Sequence, residues 1–222
     1  MQARIIQLRD QLAARVPGVR FGFAPERPAG ARRPTGVPAL DAALGGGLGR
    51  GELVELVGNG CGSGSAQALH ALLDRTARDG GFLTLVDGAD TFDADAAEPD
   101  VLAHLLWLRC HGAAEALKAA DLVLRDRNLA LVVLDLKANP AAELRRLPAT
   151  AWHRFARLVA AAESTLLVIT PSPLVAGVDV RIELAAGLGA DAMQTPPAEL
   201  AAGLRCRLLR TAAERVALAR TA

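Results

Sequence analysis

Residues 52–65 read ELVELVGNGCGSGS and decide the fold of this chain. An apolar run rich in valine and leucine ends in a glycine-rich loop. A helical pattern follows, with Ala68, Leu69, Leu72 and Leu73 on one side. A strand, a glycine loop and a helix in this order form the context in which backbone N–H groups cradle phosphate. We therefore expect a loop of the phosphate-binding type between the first strand and its helix.

The loop lacks the lysine that the phosphate-binding pattern requires. Laying G-x-x-x-x-G-K-[ST] from Gly58 puts Gly64 in place of the lysine. If Gly64 is taken as the second glycine instead, Ser65 occupies the lysine position. No Lys or Arg occurs between Gly51 and Asp74. We interpret the loop as a degenerate nucleotide site that binds weakly, with the candidate residues Gly58, Gly60, Gly62, Ser63, Gly64 and Ser65.

Length and composition predict one α/β domain inside the cell. The chain has 222 residues, 51% of them hydrophobic, and a formal net charge of +1. A chain of this length buries roughly 70% of its unfolded surface and needs no disulfide or metal to fold. The balanced charge argues against strong nonspecific binding of nucleic acid. The three cysteines are far apart and no apolar run reaches the length of a membrane span, so we expect a cytoplasmic protein that does not contact membranes.

Alternating apolar patterns predict a doubly wound, mainly parallel sheet with helices on both faces. Two segments alternate apolar with polar residues, 178–184 and 204–208, and predict antiparallel, half-exposed edge strands at the C-terminal end. The remaining predicted strands are 53–57, 82–86, 105–108, 130–134 and 165–169. The longer predicted helices are 65–78, 113–124 and one that starts at Thr150, with a stripe of Trp152, Phe155, Ala156 and Val159.

The chain divides into three predicted parts. Residues 1–34 hold an N-terminal helix, a short strand and a linker, residues 35–210 the core, and residues 211–222 a tail. Within 35–48 we expect a capped short helix that ends at a glycine triplet. The linker carries a basic cluster that we interpret as solvated, with contact to a nucleic-acid backbone as the alternative: Arg27, Arg32 and Arg33. The N-terminal helix carries an apolar stripe that either packs on the core or docks a partner: Ile5, Leu8, Leu12 and Val16.

A second half of a nucleotide site follows the fourth strand. Residues 131–135 read LVVLD, an apolar buried strand that ends in Asp135. In P-loop proteins the carboxylate at the end of such a strand coordinates Mg²⁺, directly or through water. Asp135 therefore joins the glycine loop as a candidate site residue.

Residues 35–58, TGVPALDAALGGGLGRGELVELVG, resemble the start of a RecA-type core. The similarity continues through 85–93, LVDGADTFD, and 131–135. Within that superfamily the chain is similar to the ImuA family, RecA-like companions of bacterial translesion synthesis, with which it shares its short length and residues 106–109, LWLR. The resemblance implies a RecA-like fold and a role in the DNA damage (SOS) response. Some members of that family carry the label of SulA-like cell-division inhibitors, which is an alternative.

The chain departs from RecA-type ATPases at the positions that carry the chemistry. Those enzymes place a catalytic glutamate two residues after the Asp that ends the second strand, and here that position is Ala89. Ile169-Thr170-Pro171 lacks the amide of the family's sensor strand. A lost charge-assisted bond to phosphate costs about 1.5–3 kcal/mol, and a missing general base costs about 10²- to 10⁴-fold in rate. We expect no efficient hydrolysis and no firmly bound cofactor, while weak binding of ATP and Mg²⁺ stays open.

The resemblance implies an adaptor that binds RecA or an ImuB-type polymerase homologue and contacts nucleic acid weakly or indirectly. Phe21-x-x-Ala24 resembles the short motif by which RecA-like subunits join end to end, so a homo-oligomer stays open. The competing hypothesis is a P-loop ATPase activated by a partner's arginine finger. Histidine and cysteine positions show no spacing for a tetrahedral metal site. The candidate partner-binding residues are Ile5, Leu8, Leu12, Phe21 and Ala24.

Overall fold

The computed structural model of the chain describes residues 32–60, 62–185, 187–189, 192 and 194–211. Predictions for residues 1–31, for Cys61 and for residues 212–222 lie outside the described residues. These include all five partner-binding candidates, Ile5, Leu8, Leu12, Phe21 and Ala24.

The core is one seven-stranded sheet with the order β3-β2-β4-β5-β1-β6-β7. Every neighbouring pair is parallel except β6–β7, which is antiparallel. This arrangement confirms the predicted α/β class and the mainly parallel sheet. The strands are β1 (Leu53–Gly58), β2 (Leu83–Asp87), β3 (Leu105–Arg109), β4 (Leu131–Asp135), β5 (Thr165–Thr170), β6 (Val180–Leu184) and β7 (Cys206–Arg210).

The two alternating segments form an antiparallel pair, β6 and β7, as predicted, but β6 is not itself an edge strand. It pairs in parallel with β1, so it lies inside the sheet and β7 alone forms that edge. The polar residues of β6 are matched by partners instead of facing only water. Arg181 pairs with Glu55 of β1, and Glu183 pairs with Arg207 of β7. An alternating pattern therefore arises here from ion pairs between neighbouring strands.

Helices cover both faces of the sheet and build two hydrophobic clusters. One cluster holds Trp152, Phe155 and Val159, which confirms that this stripe belongs to the core. The other holds Leu69, Leu72 and Leu73 of the helix after the glycine loop. The described helices are α1 (Pro38–Ala43), α2 (Ser65–Arg78), α3 (Pro99–Leu102), α4 (Ala113–Asp126), α5 (Ala141–Leu144), α6 (Ala149–Ala162) and α7 (Pro197–Gly203), with a 3₁₀ helix at Ala94–Ala96.

Helix α1 is preceded by a polar turn. The Val37 N–H donates to the Thr35 hydroxyl (3.1 Å), and Thr35 donates its N–H and its hydroxyl to the Asp41 carboxylate (2.7 and 2.8 Å). Thr35 thus closes the turn before the helix, whereas Val37 occupies the N-cap without a side-chain bond. The glycine triplet follows, and a Cβ at Gly47 would collide with the carbonyl of Arg33.

The end of the basic linker is tied to the core. Arg33 exchanges two backbone hydrogen bonds with Leu48, each 2.8 Å long. Arg32 donates to the Gly47 carbonyl (2.9 Å) and pairs with Glu52 (3.4 Å). The interpretation of a solvated cluster is therefore wrong for Arg32 and Arg33, because both residues are half-buried and the Arg33 guanidinium donates to the Ala130 carbonyl at 3.3 Å.

None of the described helices combines the length and the apolar character that a membrane crossing requires.

Candidate functional site: the glycine loop and the end of strand β4

The glycine loop runs from Gly58, the last residue of β1, to Gly64, the N-cap of α2. Gly60, Gly62 and Gly64 have φ angles of +76°, +69° and +85°, a region that glycine reaches without strain. Ser65 is the first helical residue, so the structure favours the register in which Gly64 is the second glycine. The loop is then one residue longer than the phosphate-binding pattern, and Ser65 stands at the lysine position.

The segment after β6 packs against this loop. The Leu188 N–H donates to the Gly62 carbonyl at 2.6 Å. A Cβ at Gly62 would collide with the Leu188 carbonyl, and a Cβ at Gly64 would collide with the Leu204 side chain. Glycine at these two positions is therefore required by packing as well as by backbone conformation.

Of the six predicted loop residues, Gly58, Ser63 and Gly64 are buried, Ser65 is half-buried, and two remain open to solvent. Ser63 is buried and its hydroxyl lies 3.4 Å from that of Ser65. Gly60 and Gly62 are exposed. The structure thus covers both ends of the loop and leaves its middle accessible.

Lys137 supplies the loop with the cation that the local sequence lacks. Its Nζ donates to the Gly60 carbonyl at 2.9 Å, across 77 residues of sequence. Its Cε would lie 3.1 Å from a Cβ placed on Gly58. Sequence reasoning limited to residues 51–74 missed this lysine. The signal was its position two residues after Asp135, because the carboxyl ends of parallel strands meet at one edge of the sheet.

Asp135 lies at the end of β4 and accepts a hydrogen bond from the Lys137 N–H at 2.8 Å. It lies opposite Asp87 of β2 in the register of the sheet. Burial raises the pKa of Asp135 to about 6, and the charge of Asp87 adds to this rise, whereas the Lys137 N–H and ammonium oppose it. The structure thus brings the candidate Asp135 to the same sheet edge as the glycine loop, with Lys137 linking them.

The acidic residues between Asp87 and Asp100 predict a solvated loop and helix cap, and this prediction is wrong for Asp87, which is buried. Its carboxylate accepts the Phe92 N–H at 2.8 Å and the Trp107 indole N–H at 3.3 Å. Buried carboxylates are stable only when such donors surround them. Asp87 therefore holds the segment after β2 against the edge strand β3.

The position at which RecA-type ATPases carry a catalytic glutamate offers no acid or base in this chain. Ala89 stands there, and the neighbouring Asp90 turns away with φ +55°. Asp90 makes a two-fold ion pair with Arg109 at 2.6 and 2.8 Å, and this partner holds the pKa of Asp90 below its usual value. Asp90 is thus engaged at the β3 edge and does not replace the glutamate.

The end of β5 is tied into the sheet. Thr170 is buried and its hydroxyl donates to Glu55 at 3.0 Å. Glu55 also accepts the N–H groups of Leu174 (2.6 Å) and Val175 (3.0 Å) and pairs with Arg181. RecA-type ATPases carry a sensor amide at this place. Here the Thr170 hydroxyl stands instead, and it donates to the buried Glu55.

Among the described residues, no group of three or more His, Cys, Asp or Glu side chains could hold a metal ion. His70 stacks on Phe92 with ring centroids 4.9 Å apart, and Cys110 is buried with its pKa raised by burial. These side chains serve packing in the described part of the chain.

Comparison with known proteins gives matches to bacterial RecA, and no family model matches the chain. The chain is 37% identical to "Protein RecA" of Leifsonia xyli subsp. xyli over 117 residues, which is 50% of this chain and 32% of that protein. It is 36% identical to RecA of Cutibacterium acnes over 119 residues, 50% of this chain and 33% of that protein. The match to RecA of Mycobacterium tuberculosis is 37% identical over 116 residues, 50% of this chain and 15% of that protein. The chain thus spans a third or less of the length of these relatives. The strand arrangement and these matches together support the placement of this chain in the RecA-like superfamily.

Proposed function

We propose that this protein is a RecA-fold adaptor of the ImuA type in bacterial DNA damage tolerance, which acts through protein contacts and does not hydrolyse ATP efficiently. The observation that carries the proposal is Ala89 at the position of the catalytic glutamate. The neighbouring Asp90 is paired with Arg109 and does not take over the role. A missing general base alone lowers the rate by about 10²- to 10⁴-fold.

The other polar groups of the site are engaged in holding the fold. Asp87 binds the backbone and the indole of its own neighbours. Thr170 points to the buried Glu55. Leu188 and Leu204 occupy the space beside Gly62 and Gly64. These contacts support a scaffold in which former catalytic positions stabilise the structure.

Exposed apolar side chains at both edges of the sheet support a role in protein contacts. Phe82 is 63% exposed and Leu106 is 48% exposed beside the β3 edge, and Leu208 and Leu209 are exposed on β7. Edge strands also present unpaired backbone groups that another chain can pair with. These edges, with the N-terminal candidates Phe21 and Ala24, are the surfaces that we propose for RecA or an ImuB-type polymerase homologue.

Direct contact with nucleic acid is proposed to be weak or indirect. Residues 136–148 and 171–177 contain no Phe, Tyr or Trp on which bases could stack. The second segment also contains no Lys or Arg.

A capture experiment tests the adaptor function. The full chain is immobilised without nucleotide and exposed to purified RecA and to an ImuB-type polymerase homologue, with Phe21→Ala as the test variant and Phe23→Ala as the matched control. Burial of one phenylalanine contributes about 1.5–3 kcal/mol, so Phe21→Ala is expected to weaken capture about tenfold or more. The Phe23→Ala variant is expected to bind like the wild type. Failure of the wild type to retain either partner at micromolar concentration would overturn the proposal.

The second candidate function is a P-loop ATPase that a partner activates. One observation favours it: Lys137 and Asp135 both lie at the glycine loop, so a partner's arginine finger would add a further cation. The two functions differ in ATP turnover, because only the ATPase hydrolyses ATP faster when its partner is added.

A further inference from the structure

We propose that Lys137 is the phosphate-binding lysine of the glycine loop, delivered by strand β4, and that its ligand is a nucleoside di- or triphosphate. This inference rests on the proposed function, because the protein that binds the nucleotide is taken to be an adaptor that does not hydrolyse it efficiently. The lysine of the ordinary pattern follows the second glycine in sequence. Here the same charge reaches the loop from the end of another strand.

The ammonium group of Lys137 lies directly at the glycine loop. Lys137 Nζ lies 2.9 Å from the Gly60 carbonyl, in the part of the loop that is open to solvent. Strand β5 separates β4 from β1, so the side chain crosses the end of one strand to reach the loop. The flexible four-carbon stem of lysine suits this reach. The ammonium group held at the glycine loop makes this part of the loop favourable for a negatively charged ligand.

The bonding of Lys137 leaves capacity for a ligand. An ammonium group has three N–H donors, and the bond to Gly60 uses one of them. None of the ion pairs among the described residues involves Lys137. Its charge meets the carbonyl dipole of Gly60 directly, and it acts on the Asp135 carboxylate without forming an ion pair with it. A phosphate oxygen is a stronger acceptor than a neutral carbonyl, because hydrogen bonds between charged groups are roughly twice as strong.

The surrounding groups complete a phosphate site. Helix α2 has 14 residues, no side-chain cap at Gly64 and no acidic residue in its first turn. Its first N–H groups therefore have no acidic partner of their own. Asp135 lies two residues from Lys137, and its carboxylate is the kind of oxygen ligand that a phosphate-bound Mg²⁺ prefers. Lys137 can keep its bond to Gly60 and donate to a phosphate oxygen with its two remaining N–H groups.

The chain offers an internal control, since Lys118 and Lys137 are its only lysines. Lys118 is exposed on helix α4. The full chain is treated with an acetylating N-hydroxysuccinimide ester, and the rate at each lysine is followed by mass spectrometry with ATP·Mg²⁺, ADP·Mg²⁺ or adenosine. At a nucleotide concentration about ten times Kd, acetylation of Lys137 is expected to slow about tenfold, because about one site in eleven stays free. The rate at Lys118 is expected to stay constant, and adenosine, which lacks phosphate, is expected to protect neither lysine.

Titration of variants provides the second measurement. Lys137→Met keeps most of the apolar stem and removes the charge, and we expect it to weaken ATP binding about 10- to 150-fold, the loss of one charge-assisted bond. Lys118→Met is expected to bind ATP like the wild type. Urea unfolding of both variants separates a loss of affinity from a loss of structure.

Three results would overturn the inference: no nucleotide binding by the wild type at millimolar concentration, binding that Lys137→Met leaves unchanged, or binding that leaves Lys137 fully reactive. Each of these results leaves the nucleotide-free capture of a protein partner intact. Partner-stimulated ATP turnover would instead overturn the adaptor function while leaving the role of Lys137 in place.

Discussion

Glu55 is the most constrained charged residue in the described structure. It is fully buried on the central strand β1 and accepts hydrogen bonds from Thr170, Leu174 and Val175. Its ion pair with Arg181 links β1 to β6, and Arg181 in turn donates to the Val175 carbonyl at 2.7 Å. One side chain thus fixes two strands and the loop after β5.

Replacing Glu55 tests how much this network stabilises the fold. Glu55→Gln is expected to lower the free energy of unfolding by about 3 kcal/mol, because breaking a buried pair leaves Arg181 without its counter-charge. The matched control is Glu183→Gln, whose pair with Arg207 is exposed on the arginine side; we expect a cost below about 1 kcal/mol there. Urea unfolding of the three proteins measures both values. Equal losses for the two variants would contradict the network.

The pKa of Asp135 predicts a pH dependence of stability. Its folded pKa of about 6 lies above the ordinary value of 3.8, so the folded state holds the proton more tightly than the unfolded state. The charged carboxylate therefore lowers stability as the pH rises from about 4 to about 6, and the cost persists above pH 6. Asp135→Asn is expected to be more stable than the wild type at pH 8, by at most about 3 kcal/mol, and to show no such gain at pH 4.

Urea unfolding at pH 4, 6 and 8 checks this dependence, with Asp126→Asn as a control for an exposed carboxylate. A difference between wild type and Asp135→Asn that does not change with pH would contradict the assignment. Asp87 and Lys137 are the charged neighbours of Asp135, and both remain in place in the variant.

Among the elements, the glycine loop is the one whose packing depends most directly on its glycines. Gly64→Ala is expected to lower the free energy of unfolding by about 1–2 kcal/mol for its left-handed conformation, and further for the collision with Leu204. Gly80→Ala is the control, because its φ of +70° has the same conformational cost and a Cβ there meets nothing within 4 Å. Thermal or urea unfolding gives the difference between the two variants, which measures the contact with Leu204. A larger loss for Gly80→Ala would show that the segment after β6 does not press on the loop.

Local sequence patterns predicted most of the helices and strands, but they did not predict all of the strand pairing. Helix 65–78 is predicted with the bounds that the structure gives it, and strands 82–86 and 130–134 are each displaced by one residue. These elements have strong apolar periods that tertiary contacts reinforce. The parallel pairing of β6 was missed, because its alternation arises from partners on β1 and β7 that lie far away in sequence.

Local sequence patterns likewise predicted some residues of the candidate site and missed others. The glycine loop and Asp135 are visible as local motifs, and the structure brings them to one edge of the sheet. Lys137 carries no motif of its own, and its contact with Gly60 follows only from the strand order. Asp87 was assigned to a solvated run because its indole partner, Trp107, belongs to another strand.

For the whole molecule, the account is that a RecA-like scaffold has its former catalytic positions turned to structural use. The RecA matches cover 50% of this chain and a third or less of those longer proteins. Ala89, Asp90 and Thr170 stand at the positions where we propose that ATPase chemistry is lost, and the structure gives Asp90 and Thr170 the partners Arg109 and Glu55. The exposed apolar edges are the surfaces that we propose for contacts with other proteins.

ATP turnover tests this central claim most directly. Phosphate release from ATP·Mg²⁺ is measured for the wild type and for Asp135→Ala, each alone and with a purified RecA-type or ImuB-type partner and single-stranded DNA. Enzymes typically turn over about 10 times per second, and a missing general base predicts a rate at least about 10²-fold lower. The account predicts that the wild type and Asp135→Ala stay equally close to background in every mixture. Partner-stimulated turnover that Asp135→Ala abolishes would contradict it.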